Sequence, residues 1–497
     1  MIASDLLLST YALVLVLLGV FGVHRLYLVA LCLRTPPARP TPRRRIPELW
    51  PMVTVQLPVF NELYVVERLL DAVAAFDYPR DRFEVQVLDD STDATAEAVA
   101  AKVAELADSG LAIRHMCRNT RDGYKAGALA SGLREARGDL ICVFDADFVP
   151  EPDFLRQAVP HLADPAVGMV QARWTHLNRE HSLLTRIQAM LLDAHFAIEH
   201  AAREQAGRYF NFNGTAGVWR RTAIESAGGW QHDTLTEDLD LSYRAQLAGW
   251  QFVYLNELEA PALLPESISA FKSQQRRWTR GAVQTARKLL PRVWRSAAPL
   301  STKIEATFHL TSNLAYVLMV ALAILVLPAM AMRAQSIGTA LIWLEIPVLI
   351  FGTGSVCLYF VFAQREIGRP WLVATLSMPA LMALGAGLAL NNTVAAIRGL
   401  GGRPGTFIRT PKVGTRDSSG PQDDYRARNG WLPWAELAVA IYFLAVVVVA
   451  VRWEMWMGLP VAALFLGGYA YVSGLAFGQR LQQRAAASAA PRAVEQQ

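Results

Sequence analysis

The chain has 497 residues, a formal net charge of +5, and a composition 53% hydrophobic but only 18% charged. Such a chain is too apolar for an ordinary soluble enzyme of this length, and its mild charge gives no sign of a nucleic-acid partner. The length allows two or three domains, and the apolar residues concentrate at 6–33 and beyond 305, leaving a globular-looking segment between them.

The first apolar stretch, Leu6 to Leu33, is long enough to span a bilayer. Arg34, Arg39, Arg43, Arg44 and Arg45 follow it, which by the positive-inside rule sets the N-terminus outside and the central segment in the cytosol. A cleaved signal peptide is the alternative. It would have Asp5 and no Lys or Arg ahead of its apolar run, with no small-residue cleavage site after it. The four cysteines, Cys32, Cys117, Cys142 and Cys357, form no Cys-x-x-Cys pair and read as reduced, structural thiols.

From Val53 strands and helices alternate. Strands are expected at Val53–Phe60, Phe83–Leu88, Ala112–Met116, Leu140–Phe144, Val167–Arg173 and Gln251–Leu255. Helices are expected at Leu63–Ala75, in the Ala-rich run to Leu106, at Tyr124–Ala136, over roughly Ser182–Gln205, and at Glu237–Leu247. The order implies an α/β domain with a mostly parallel sheet, whose ligands bind at the carboxyl ends of the strands. Ile268–Arg295 is basic and amphipathic, suited to a membrane surface or to a solvated face of the domain.

Four further segments look able to span: Ala315–Met332, Ile337–Phe362, Leu437–Val451 with its flanks, and Leu459–Phe477. Trp371–Ile397 is apolar too but carries Pro379, Gly385, Gly387, Asn391 and Asn392. If it crossed, the basic loop from Arg398 to Arg416 would lie outside, against the positive-inside rule. It is therefore expected to lie along the interface or to bend back as a re-entrant segment. The expected divisions are a transmembrane anchor with its basic flank (1–50), a catalytic domain (51–267), acceptor-site and interfacial helices (268–303), a transmembrane channel region (304–480) and a disordered tail (481–497).

Acidic clusters fall at the strand ends. In Asp145-Ala146-Asp147, alternate residues of an extended chain would turn both carboxylates toward one divalent cation, and oxygen-only ligands suit Mg²⁺ or Mn²⁺. Two acids after a strand also often cap a helix or face water. Asp89 and Asp90 end another strand of the same sheet, and two acidic strand ends in one cleft repel unless a cation or a donor-rich ligand intervenes. Thr236-Glu237-Asp238 opens a helix: either Thr236 is its N-cap with acids favoured by the dipole, or a carboxylate is held at the cleft rim as a general base. In Gln274-Gln275-Arg276-Arg277-Trp278 a guanidinium could grip a diphosphate and an indole could stack on a sugar.

In order, the phrases VQLPVFNE (Val55–Glu62), VLDDSTDAT (Val87–Thr95), GYKAGAL (Gly123–Leu129), FDADF (Phe144–Phe148), VQARW (Val170–Trp174), FNGTAGVWR (Phe212–Arg220), TEDLDL (Thr236–Leu241) and QQRRW (Gln274–Trp278) resemble the processive family 2 β-glycosyltransferases. The resemblance is greatest to the cellulose-synthase-like mannan and glucan synthases. It covers residues 53–280 and implies a cytosolic nucleotide-sugar-binding domain of the GT-A type, bracketed by transmembrane and interfacial helices. By the resemblance Asp89 and Asp90 would contact the nucleoside and Lys125 the phosphates. Asp145 and Asp147 would hold the diphosphate through Mg²⁺ or Mn²⁺, and Arg277 would grip it. Asp238 would be the general base, with Glu237, Gln274 and Trp278 at the acceptor.

Phe407, Thr410 and Lys412 stand at the relative spacings of a cellulose-synthase gating loop, with Arg409 where Val is usual, although the same stretch also reads as an ordinary basic loop. The tail is too short for a cyclic-nucleotide-binding regulatory domain. Gly214-Thr215 replaces the usual Gly-Ser, which points to the mannan and glucan-like branch.

The resemblance implies inverting transfer of hexose from UDP-glucose or GDP-mannose to a growing β-glucan or β-mannan. The expected setting is a multi-pass protein of the bacterial inner membrane. A glycolipid synthase acting on ceramide or diacylglycerol is the alternative. An inactive transporter or scaffold would be expected to have lost part of the set Asp90, Asp145, Asp147 and Asp238.

Overall fold

The computed structural model describes residues 2–34, 48–335, 342–401 and 430–489. Seven strands form one sheet: β1 (Val53–Val59), β2 (Phe83–Asp89), β3 (Ile113–Cys117), β4 (Leu140–Val143), β5 (Val167–His176), β6 (Gly217–Arg220) and β7 (Gln251–Ala262), in the order β3-β2-β1-β4-β6-β5-β7. Every neighbouring pair is parallel except those of β6, which runs antiparallel to β4 and β5. The six strands expected from sequence are present within a few residues, β7 extending to Ala262. β6 was not foreseen, because only four residues separate the irregular Tyr209–Ala216 stretch from the next helix.

Helices cover both faces. α2 (Val66–Ala74), α3 (Thr95–Asp108) and α5 (Phe154–Ala158) share one core with Val55, Leu57, Val85 and Phe144. α4 (Tyr124–Glu135), α8 (Arg221–Ser226) and α9 (Glu237–Leu247) share the other with Ile141, Val143 and Trp219. The strands are buried on both faces, and the alternation of side-chain direction divides their apolar residues between the two cores.

The long helix expected over Ser182–Gln205 is one rod in three parts: α6 (Leu183–Ala194), a π-helical turn over His195–His200, and α7 (Ala201–Gln205). Ser182 caps it by accepting from the Thr185 amide. α10 (Ile268–Arg295) matches the expected amphipathic helix.

Helix α1 (Ile2–Arg34) precedes the domain; α11 (Leu300–Thr311), α12 (Leu314–Ala334), α13 (Ile342–Val348), a π turn at Leu349–Gly354, α14 (Ser355–Glu366), α15 (Trp371–Leu400), α16 (Leu432–Arg452) and α17 (Leu459–Ala489) follow it. Six described helical segments are long and apolar enough to cross a bilayer, as in a multi-pass membrane protein. Domain and apolar helices share a core in which Leu28, Tyr359, Leu384 and Val472 pack with Leu184, Ile198 and Phe271.

Two expectations are corrected. α15 is unbroken, so it does not bend back. The residues taken for bend points are packing contacts instead. A Cβ on Gly387 would lie 2.4 Å from the Gly468 carbonyl oxygen, so α15 and α17 meet backbone to backbone there. Asn391 donates to the Lys272 carbonyl and accepts from Arg276 of α10. The tail is also helical as far as Ala489, in keeping with the helix propensity of its Ala, Gln and Arg residues. The gating-loop residues Phe407, Thr410 and Lys412 lie outside the described residues.

Candidate active site

One cleft at the carboxyl ends of the strands gathers Asp90, Lys125, Asp145, Asp147, Glu237, Asp238, Gln274, Arg277 and Trp278 in its wall. Of the described residues singled out from sequence, Asp89 alone is missing from it. Asp89 is the last residue of β2 and is buried; its carboxylate takes hydrogen bonds from the Ser91 amide (2.8 Å) and from His115 Nε2 (2.9 Å). Burial alone would raise its pKa, but these bonds outweigh burial and lower it. Asp89 thus ties β2 to β3 and is not among the residues that line the cleft. Asp90, one residue on, carries the cleft-facing carboxylate. Arg118 grips it with two nitrogens, Nε at 2.8 Å from Oδ1. Arg118 escaped the sequence reading, although it opens the basic run leading into GYKAGAL.

Asp145-Ala146-Asp147 is a turn, not extended chain: the Phe148 amide donates to the Asp145 carbonyl at 3.1 Å. The pairing argued from strand alternation therefore fails, yet both carboxylates reach the cleft by the turn. The Asp145 amide donates to Thr215 Oγ1 at 2.9 Å, and Lys125 Nζ bridges the Asp145 carboxylate and the Gly214 carbonyl. Burial pulls the Lys125 pKa down, but the carboxylates of Asp145, Glu237 and Asp238 outweigh it, and the ammonium is held above its ordinary value.

Thr236 does not cap α9 with its hydroxyl. The hydroxyl meets that of Thr285 on α10 (3.2 Å), and the Leu235 amide donates to Gln284 Oε1 (3.0 Å). Gly281 makes the fit possible, since a Cβ there would lie 2.5 Å from Thr236 Cγ2. α10, which carries Gln274, Arg277 and Trp278, is thereby stitched to the end of the loop from α8 to α9, next to Asp238. Asp238 accepts from the Leu239 amide (2.8 Å). Burial first, and then the charge of neighbouring Glu237, push its pKa up to about 7. A carboxylate in that range is suited to taking a proton near neutrality.

The wall contains Glu62, Asp90, Asp145, Asp147, Glu237 and Asp238 against Arg121, Lys125 and Arg277. Among the described residues, the one group of three or more His, Cys, Asp or Glu side chains close enough to share a metal is Asp89, His115 and Cys117, none of them in the acidic turn.

A family model described as glycosyltransferase like family 2 matches residues 51–281. Over that span the chain is similar to glycosyltransferase family 2. It is 44% identical over 252 residues to glucomannan 4-beta-mannosyltransferase 2 of Arabidopsis thaliana, which is 50% of this chain and 47% of the relative. It is 43% identical over 252 residues to glucomannan 4-beta-mannosyltransferase 1 of Oryza sativa subsp. japonica, covering 50% and 48%. The matched part therefore spans about half the length of these curated relatives. The fold is that of the mannosyltransferase PcManGT of Pyrobaculum calidifontis, solved with GDP-Man and Mn²⁺ (TM-score 0.50, 24% identity, 78% of this chain and 99% of that one).

Proposed function

We propose that the chain is an inverting β-mannosyltransferase of the cellulose-synthase-like kind, moving mannose from GDP-mannose to the end of a growing β-mannan or glucomannan. The observation that carries this is the opposition, in one cleft, of Asp238, poised to take a proton near pH 7, to a lysine and two carboxylates suited to a nucleoside diphosphate. The similarity to plant glucomannan mannosyltransferases favours mannose over glucose.

Asp238 accepts the proton of the attacking hydroxyl, so a single displacement turns an α-linked donor into a β-linked product. Asp90 meets the nucleoside, Lys125 and Arg277 the phosphates, and Glu237, Gln274 and Trp278 the acceptor. The surplus of carboxylates over cations in the wall fits a hard divalent ion, Mg²⁺ or Mn²⁺, held by Asp147 with Asp145 and the donor diphosphate. When bound, it would offset charge on the departing diphosphate.

Five helices cross the membrane in this reading, with the domain on the cytosolic face. α15 lies along that face: Arg369 just before it approaches Glu180 (4.0 Å), Asn391 meets α10, and its last carbonyl, at Leu400, accepts from Arg287 (2.7 Å). The plant relatives lend no support to a bacterial inner membrane.

The test is incubation of membranes with labelled GDP-mannose and UDP-glucose, followed by digestion with a β-mannanase or a β-glucanase. The expected product depends on GDP-mannose and is cut by the mannanase. A product made from UDP-glucose alone and cut only by the glucanase overturns the donor assignment; a lipid-extractable product overturns the polymer.

A further inference from the structure

The π turn at His195–His200 stands where the rod of α6 and α7 passes beneath the cleft. Such turns are rare and are used mostly at functional sites. Its wider spacing brings residues five apart onto one side, so the rings of His195 and His200 lie 4.4 Å apart, centroid to centroid. Both meet the amide of Asn213, which stands in the cleft wall next to Gly214. His195 Nε2 is 3.0 Å from Asn213 Nδ2, and His200 Nε2 is 2.7 Å from Asn213 Oδ1.

The partners determine every proton. His195 Nδ1 faces the Glu199 carboxylate at 2.9 Å and must donate to it, so Nε2 accepts from the Asn213 amide. His200 Nε2 faces two oxygens, Asn213 Oδ1 and the Asn211 carbonyl (3.0 Å), and must donate. A flipped amide would set donor against donor and lone pair against lone pair. Burial, the larger effect, and the nearby Arg203 charge hold both rings neutral, His200 down to about 3. The backbone is fixed as well, since the Asn213 amide donates to Gln171 Oε1 at 3.0 Å. These bonds use one of the two N–H groups of the Asn213 side chain and one lone pair of its oxygen. A neutral group with one donor and one acceptor to spare, locked in a wall otherwise rich in carboxylates, matches a sugar hydroxyl.

We propose that Asn213 is a specificity-determining residue that reads one hydroxyl of a hexose in the cleft, with His195 and His200 as positioning residues that lock its amide. This rests on the glycosyl-transfer reading. The hydroxyl belongs to the donor hexose or to the terminal acceptor hexose, which present the same chemistry.

The test compares the full-length wild type, Asn213→Ala, His200→Leu and His200→Gln in kcat/KM with Mn²⁺. The substrates are GDP-mannose and its monodeoxy analogues, and manno-oligosaccharides and theirs. One deoxy position should cost the wild type about ten- to a hundredfold, as loss of a buried hydrogen-bond partner does. Asn213→Ala should lose as much with the intact sugar and nothing further with that analogue. Non-additivity in the donor series assigns the hydroxyl to the donor, and in the acceptor series to the acceptor. Losses that multiply independently at every position in both series overturn the proposal. His200→Leu should lose the same discrimination and His200→Gln, whose side chain still offers an N–H, should restore much of it. This pair carries the test if Asn213→Ala fails to bind GDP; equal discrimination in the two overturns the positioning role. Transfer by the wild type reports on the glycosyltransferase reading, and the interaction between variant and analogue on Asn213.

Discussion

Gly214 lies directly under the carboxylate of Asp238: a Cβ at 214 would sit 2.9 Å from Oδ2, and the backbone there has φ +86°. This carboxylate can rest against the loop that also feeds Lys125 because residue 214 has no side chain and tolerates a left-handed backbone. Gly214→Ala should displace Asp238 and store about 1–3 kcal/mol of strain. The expected outcome is a lowered Tm together with a drop in kcat far larger than any change in GDP affinity. Unchanged kcat would mean that Asp238 is not held as described.

Asp238→Asn should abolish transfer while leaving donor binding near normal, because the groups assigned to the nucleotide are untouched. Calorimetric titration with GDP alongside a product assay separates the two effects. Near-normal turnover in this variant would remove Asp238 from the role of base.

The pH profile should follow the same residue. As the proposed base, Asp238 would act only when ionised, and burial with the Glu237 charge pushes its pKa up to about 7, so kcat/KM should fall as the pH drops through that value. Glu237→Gln removes the neighbouring charge that helps raise the pKa, so the acid limb should move to lower pH. The shift also bears on stability. The folded-state pKa lies above the unfolded one of about 4, so this carboxyl's contribution is fullest below pH 4 and is lost as the pH rises through about 7. A limb that stays in place in Glu237→Gln would contradict the assignment.

Chelation should stop transfer, and Mg²⁺ or Mn²⁺ should restore it. Asp147→Ala should remove the metal-dependent part of GDP binding, measured by titration with and without Mn²⁺. Full activity in excess chelator would exclude the divalent ion.

A cysteine at Ser419, in the segment after α15, should resist a membrane-impermeant thiol reagent on intact cells and react after permeabilisation. Labelling of intact cells would put that segment outside and make α15 a crossing helix.

The ends of β2 and β4 were legible in the sequence because each is an apolar run that stops at acids, and burial on both faces leaves no other reading. What was hidden depends on direction, not composition. Asp89 and Asp90 are chemically alike, and only the pleat of β2 sends one to His115 and the other to the cleft. The turn at Asp145–Phe148 reaches by a different route the juxtaposition that alternation had suggested. Asn391 and Gly387 read as places to bend until α10 and α17 are packed against them. The π turn leaves no trace in hydrophobic periodicity, since it adds one residue to a helix buried along most of its length, and so Asn213 passed for loop.

Arg25 of α1 pairs with Glu199, 174 residues further along the chain, and His24 with Glu305, 281 residues on. Arg203 joins the two carboxylates, at 3.3 Å from Glu199 and 2.9 Å from Glu305. α1 leaves the ribosome before Glu199 and Glu305, so its guanidinium and imidazole precede the partners they finally meet. Until Glu199 is made the guanidinium charge must be met by water or lipid headgroups. Those partners arrive with the π turn at His195–His200 and with α11. α1 is therefore seated only after much of the chain that follows it has been made.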